Sequence, residues 1–226
     1  IENETIASLA GNTVTGNAIG KTMLNATYEG IIGTLNTEIQ KFNKNVEVEV
    51  LPKDGKVTPK VEAGDGFTVE LKADGTVWSH GQNQYGQLGV GDTNSYNEPQ
   101  KVKIIKNTIK NEDGSKTDIE DTIKDISVGN YQVLALGQTG KVYAWGYGEN
   151  GQLGIGSGYN HESPVVVKDI YKKQLQDIVK VEAGENVSFA ITSKGKVYAW
   201  GNGYSSRAQL LDLPENAVDI TSKYVL

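Results

Sequence analysis

Three times along this chain a glycine is followed 17 residues later by another: Gly64 to Gly81, Gly129 to Gly146 and Gly184 to Gly201. The copies start 65 and 55 residues apart, so a constant core alternates with linkers of variable length. A core that keeps its length while its linkers change is the structural unit, and the linkers are surface loops. Each core holds two alternating runs of β-branched and aromatic residues around a short turn ending in glycine: Asp74-Gly75, Thr139-Gly140 and Lys194-Gly195. Such turns demand positive φ, which glycine supplies, so each core predicts a β-hairpin. No stretch of the repeats shows a capped 3.6-residue period, which makes the region all-β. Units of this size cannot bury their sheet faces alone and do so by stacking radially.

The copies share more than spacing. After its second glycine the first copy reads Asn83-Gln-Tyr85-Gly86-Gln87-Leu88-Gly89-Val-Gly91, and the second Glu149-Asn150-Gly151-Gln152-Leu153-Gly154-Ile-Gly156. The third runs Asn202-Gly-Tyr204 and keeps Gln209-Leu210 without the flanking glycines, so the outer part of its blade is expected to depart from the pattern. Trp145 and Trp200 stand before the second glycine, with His80 in that slot of the first copy. These three are expected to pack at one station of each unit. Gly81, Gly146 and Gly201 are expected where strands crowd near a central channel.

This pattern resembles the regulator-of-chromosome-condensation repeat, whose members form seven-bladed β-propellers. The resemblance covers about residues 52–226. It implies an all-β fold of β-propeller blades, about three repeats in an incomplete ring: 52–102, 125–167 and 180–213, with the start of a fourth at 217–226. An open arc of this kind is expected to leave two apolar blade faces without neighbours. The nucleotide-exchange role of the family's namesake is not implied, because a fold does not carry its function with it.

Residues 1–51 have another character, dense in Asn and Thr and without Trp. They read as short strands between Gly turns, ending in the alternating Val46-Glu-Val-Glu-Val50. The segment is similar to the C-terminal part of a bacterial immunoglobulin-like domain, and a whole sandwich takes roughly 100 residues. Together with the start at Ile1 rather than Met, this gives the expectation of a piece processed or excised from something larger. Between the first two repeats, residues 103–124 place Asp113-Gly114 between a cationic arm (Lys103, Lys106, Lys110) and an acidic one (Asp118, Glu120, Asp121). A charged hairpin is predicted, either a solvated insertion or a contact arm for a partner.

Composition removes several chemistries. The chain has 22 Lys+Arg against 28 Asp+Glu, a formal charge of −6, so phosphate backbones are repelled overall and no nucleic-acid partner is expected. Zero cysteine excludes disulfides, thiolate metal sites and a Cys nucleophile. No apolar run approaches the ~20 residues of a spanning helix, so no membrane insertion is expected. His80 and His161 are the only histidines and lack ligand spacing, so no metal site is expected. Gly146-Tyr-Gly148-Glu-Asn-Gly151 is formally a dinucleotide fingerprint, yet Gln-Leu-Gly-Ile-Gly follows where a helix should open, and no cofactor is expected. No carboxylate pair stands out by spacing, and Ser205-Ser206-Arg207 has no placed base, so no catalytic residue is assigned.

What is left is aromatic. Tyr85, Tyr96, Tyr147, Tyr159 and Tyr204 fall in or near the loops after the second strand of each hairpin, among Asn and Gln. Tyrosine offers a large, amphipathic contact surface at low entropic cost, which suits recognition of a protein or a glycan. The expectation is a non-enzymatic, extracellular or cell-surface bacterial binding and adhesion module using these loops. Two alternatives stand beside it: a structural subunit of a surface layer or filament, self-associating through open blade faces, and a propeller-type inhibitor or receptor of another protein, as in the β-lactamase inhibitors that share this repeat.

Overall fold

The computed structural model describes residues 7–10, 13–16, 20–31, 39–50, 57–110, 116–213 and 217–220, with side chains from 57–105, 119–213 and 217–220. The chain divides into two compact units, Ile1–Thr58 and Pro59–Leu226. In the first, β1 (Ala7–Ala10) pairs antiparallel with β2 (Thr13–Gly16), and β3 (Gly20–Ile31) pairs antiparallel with β4 (Ile39–Val50). The second hairpin differs from the expected short strands. Its two 12-residue strands run in unbroken register from Gly20↔Val50 to Ile31↔Ile39, so Gly20 and Gly30 are carried as strand residues instead of ending strands.

The second unit contains three four-stranded antiparallel sheets, each a meander in sequence order. Blade 1 is β5 (Lys60–Ala63), β6 (Phe67–Leu71), β7 (Val77–Gly81) and β8 (Tyr96–Val102). Between it and blade 2 lie β9 (Ile105–Lys110) and β10 (Lys116–Glu120), paired antiparallel, where the charged hairpin was predicted; its tip, 111–115, lies outside the described residues. Blade 2 is β11 (Ile123–Val128), β12 (Gln132–Gly137), β13 (Val142–Gly146) and β14 (His161–Val166). His161 opens the outer strand by pairing with Gly146. Blade 3 is β15 (Ile178–Ala183), β16 (Val187–Thr192), β17 (Val197–Gly201) and β18 (Gln209–Leu210). Its outer strand has only two residues, against seven and six in the other blades, where the sequence lost its glycines.

The strands of each blade are called a to d from the inside outward. The three cores differ in burial: β12 and β13 are buried along their whole length because blade 2 lies between two neighbours, whereas β6 alternates buried and half-buried. Burying both faces of a sheet requires a continuous apolar run, which Val133-Leu-Ala-Leu136 and Val142-Tyr-Ala-Trp145 provide.

Blade contacts repeat as well. Lys60 Nζ of blade 1 donates to Asp125 Oδ1 (2.9 Å) and to the Ile126 carbonyl (2.7 Å) of blade 2. Burial pulls the Lys60 ammonium down in pKa, and Glu62 and Asp125 together outweigh that, leaving it raised. At the same station Lys180 of blade 3 pairs with Asp219, and the Ile220 N–H closes onto that carboxylate at 2.7 Å, as the Ile126 N–H does onto Asp125 at 2.9 Å. Ala217 and Ile220 also pack on Phe189, Ile191, Val197 and Ala199. Residues 217–220 thus take the first contacts of a fourth innermost strand without forming one; 221–226 lie outside the described residues.

The two end faces are not both apolar, contrary to expectation. The far side of blade 3 is apolar, but the side of blade 1 turned away from blade 2 carries Thr68, Glu70, Trp78 and His80, where blade 2 has Val133, Ala135, Tyr143 and Trp145. Lys72 Nζ covers the Trp78 ring at 3.9 Å, and His80 Nδ1 faces Glu70 at 3.9 Å.

Candidate binding face

The loops between strands a and b, and between c and d, emerge on the same side of every blade. On that side the innermost turns, Gly64-Asp65, Gly129-Asn130 and Gly184-Glu185, border an open recess of about 1000 Å³. The Asp65 N–H donates to the Asn130 carbonyl at 2.9 Å, tying neighbouring turns together.

The c–d loops are built to lock one blade to the next. Trp145 Nε1 of blade 2 donates to the Gln87 carbonyl of blade 1 at 3.0 Å, and Trp200 Nε1 of blade 3 to the Gln152 carbonyl of blade 2 at 2.8 Å. Gly89 and Gly154, at φ +69° and +68°, lie over these indoles, where a Cβ would come within 2.6 and 2.9 Å of Nε1. Backbone conformation and space both demand glycine there. His80 occupies the equivalent slot of blade 1, and among the described residues its Nδ1 has no hydrogen-bond partner. Gly81, Gly146 and Gly201 answer to a different crowding from the one expected. They end strand c beneath the a–b turn, where a Cβ would stand 2.4, 2.3 and 2.5 Å from the Gly66, Tyr131 and Asn186 carbonyls.

On this frame the side chains differ. Tyr85 of the blade 1 c–d loop makes edge-to-face contacts with Tyr131 and Tyr147 of blade 2, ring centroids 5.1 Å apart in both cases, and Tyr131 and Tyr147 are 6.5 Å apart. All three are half-buried. The Tyr131 hydroxyl donates to Asp65, and that of Tyr147 to Glu149 at 3.1 Å. The bond to Asp65 raises the Tyr131 phenol pKa, with burial adding to it; burial first and then Glu149 raise that of Tyr147. Both phenols therefore stay neutral. Beside the three rings is a recess of about 240 Å³ that also takes in Asn130, Asn150, Glu185 and Asn186.

Of the five tyrosines expected to form a binding surface, the structure brings together two, Tyr85 and Tyr147. Tyr96 is held by Asp92, to which its hydroxyl donates at 2.8 Å. Tyr159 is 74% exposed in its loop, and Tyr204 packs edge-on against Phe189 at 6.1 Å. The third member, Tyr131, lies in an a–b turn, outside the c–d loops on which the expectation rests. The 17-residue core held the signal: two positions after the first glycine stand Gly66, Tyr131 and Asn186, the one slot of the turn where the copies differ most in size.

The Gly146 to Gly151 segment is a c–d loop in which four N–H groups are already used. Tyr147 donates to the Tyr131 carbonyl, Gly148 to Asn160, Asn150 to Gln152 and Gly151 to the Gly148 carbonyl, all at 2.8–3.0 Å. Among the described residues, no three of His, Cys, Asp and Glu are gathered so as to hold a metal ion, and no helix is long and apolar enough to cross a membrane.

Known proteins match the same segment. The chain is 30% identical over 163 residues to the ultraviolet-B receptor UVR8 of Arabidopsis thaliana, covering 72% of this chain and 33% of the receptor. It is 31% identical over 141 residues to human regulator of chromosome condensation, covering 62% of this chain and 30% of that protein. The chain thus spans about a third of the length of these relatives. Among solved structures, Prp20p from Saccharomyces cerevisiae, studied for its binding to Gsp1p and histones, aligns with a TM-score of 0.53 at 21% identity over 68% of this chain and 38% of that one, a likeness of fold. The regulator of chromosome condensation (RCC1) repeat itself matches residues 74–136 and 139–191, more than half of the sequence. With the repeated Trp-to-loop lock built on those residues, the chain belongs to the regulator of chromosome condensation repeat family.

Proposed function

We propose that this chain is a non-catalytic binding module that recognises a protein through the a–b and c–d loop face, centred on Tyr85, Tyr131 and Tyr147. The observation that supports it most is the clustering of three half-buried tyrosines from two blades, held edge to face and by hydroxyl bonds to Asp65 and Glu149. Aromatic anchors held rigidly beside a recess lose little entropy on contact, which is what binding surfaces need. Relatives in the family support a protein as the ligand, Prp20p being described by its binding to Gsp1p and histones. The setting we propose with it, a bacterial cell surface with an adhesive role, rests on the Cys-free composition and on the resemblance of residues 1–51 to an immunoglobulin-like tail. The relatives named above are eukaryotic and inform the module, not its setting.

The test compares the full chain with a triple variant, Tyr85→Asn, Tyr131→Asn and Tyr147→Asn, and with Lys194→Ala in a b–c turn on the opposite side. Each is immobilised and exposed to a surface-protein extract of the source cells, and captured proteins are quantified by mass spectrometry. The reading expects a defined set retained by the wild type and by Lys194→Ala and lost by the triple variant. Equal capture by all three overturns it.

A further inference from the structure

We propose that the recess between the tyrosine trio and Glu185 receives the side-chain cation of a basic segment, an exposed arginine or lysine on the protein partner. The proposal rests on the binding reading above and gives its partner a chemistry. Four observations point the same way.

The rings come first. A cation is attracted to the face of an aromatic ring, and more so to a ring enriched in electrons. Tyr131 and Tyr147 both donate their hydroxyl protons to carboxylates, Asp65 and Glu149, which pushes electron density into the rings. The second is charge. The six a–b and c–d loops contain four carboxylates, Asp65, Asp92, Glu149 and Glu185, and a single cation, Arg207, whose guanidinium lies against Gly156 in the blade 2 loop. The lysines of the second unit's b–c turns, Lys72, Lys141, Lys194 and Lys196, lie on the opposite side. The face therefore draws basic segments and orients them, most strongly at low salt.

The third observation is Glu185. It lines the recess, is exposed, and makes no ion pair or hydrogen bond among the described residues. A carboxylate lining the same recess as three aromatic rings, with no cation paired to it among the described residues, is half of an interaction. The fourth is size. Small-molecule pockets run from roughly 300 Å³ upward, and this recess holds about 240 Å³, a side chain's worth of space. Asn130 and Asn150 on the rim supply side-chain carbonyl oxygens that a guanidinium or ammonium can donate to.

The probe is an end-capped pentapeptide, Gly-Ser-Arg-Ser-Gly, titrated into the full chain while the tyrosine ring signals are followed by NMR. Its partner probe replaces arginine by citrulline, which keeps the planar shape and removes the charge. The arginine peptide is expected to shift the Tyr85, Tyr131 and Tyr147 signals and to bind about tenfold more tightly than the citrulline peptide. Glu185→Gln should weaken arginine binding severalfold and leave citrulline binding unchanged. Equal binding of the two peptides, or no shift of the three rings up to the solubility of the arginine peptide, overturns the proposal. If the arginine peptide fails while the tyrosine triple variant still loses its captured proteins, the cation alone is refuted. If the triple variant keeps them, the binding reading falls with it.

Discussion

The seam between blades 1 and 2 and the seam between blades 2 and 3 share one skeleton and present different surfaces. At each, an indole donates to the carbonyl of a loop glutamine, at 3.0 Å in the first and 2.8 Å in the second. At each, the residue after the strand c glycine donates to the carbonyl of the a–b turn, Tyr147 to Tyr131 at 2.9 Å and Asn202 to Asn186 at 2.8 Å. Yet the three facing positions are Tyr85, Tyr131 and Tyr147 at one seam and Asn150, Asn186 and Asn202 at the other. The amide seam satisfies itself: Asn150 Nδ2 donates to Asn186 Oδ1 at 3.2 Å, and Gln152 Nε2 reaches the same oxygen at 3.4 Å. At the aromatic seam the matching Gln87 Nε2 is buried and has no acceptor, because Tyr131 stands where Asn186 would be. A buried donor left unpaired costs about 1–3 kcal/mol. The lesson is that repeat motifs keep the lock, while the residues between the glycines are free to trade self-satisfaction for an outward-facing aromatic surface.

The largest effect that could break this comparison lies in the shared lock. Gly89→Ala and Gly154→Ala force a Cβ onto an indole from a left-handed backbone, and each should lower stability by about 2 kcal/mol or more in urea denaturation. If only one does, the two locks are not equivalent. Next come the indoles. Trp145→Phe should cost about 1–3 kcal/mol beyond the lost packing, because the Gln87 carbonyl then has no donor among the described residues. Trp200→Phe should cost less, since the Gln152 carbonyl keeps the Ser188 hydroxyl at 2.9 Å. Reversal of that order would show that packing, not the hydrogen bond, sets the seam. Smaller still is Tyr131→Asn. It loses two edge-to-face contacts worth about 0.5–1.5 kcal/mol each and supplies the acceptor Gln87 lacks, so stability should change by less than about 1.5 kcal/mol while ligand capture falls sharply.

The smallest effect is acid sensitivity confined to the first seam's loop. Asp92 is held below its ordinary value of 3.8 by the Asn94 N–H and by the Tyr96 hydroxyl. A carboxylate whose folded pKa is lowered stabilises the fold above the ordinary value, and that contribution disappears as pH falls through the lowered one. Ser157 occupies the corresponding place in blade 2. Asp92→Asn should therefore flatten the acid limb of the stability curve below about pH 4, and Ser157→Ala should leave it unchanged.

Strand order, hairpin turns and blade stacking were legible because glycine spacing and β-branched alternation are local signals. The failing outer strand of blade 3 was legible for the same reason, through the glycines missing around Gln209-Leu210. The tyrosine cluster was only partly legible. Tyr85 and Tyr147 share a kind of loop, but Tyr131 joins them through stacking of separate blades, a relation that appears only when copies are aligned against their neighbours. The polarity of the blade 1 face is equally present in Glu70 and His80, but aligning His80 with Trp145 gives a shared station and not the side of the sheet it faces. The 12-residue hairpin of the first unit escaped notice because glycines inside strands mimic turns.

That polar face makes the two sides of the three-blade array unlike. A chain of copies joined head to tail needs two complementary surfaces per copy, whereas a surface that meets its own twin closes after two. Seating the apolar side of blade 3 on blade 1 would strip water from the Glu70 carboxylate and the His80 ring and displace Lys72 from Trp78 without giving any of them a new partner. Burying the blade 1 side therefore costs more than burying the apolar side of blade 3, and the two sides of the three-blade array are not interchangeable as contact surfaces.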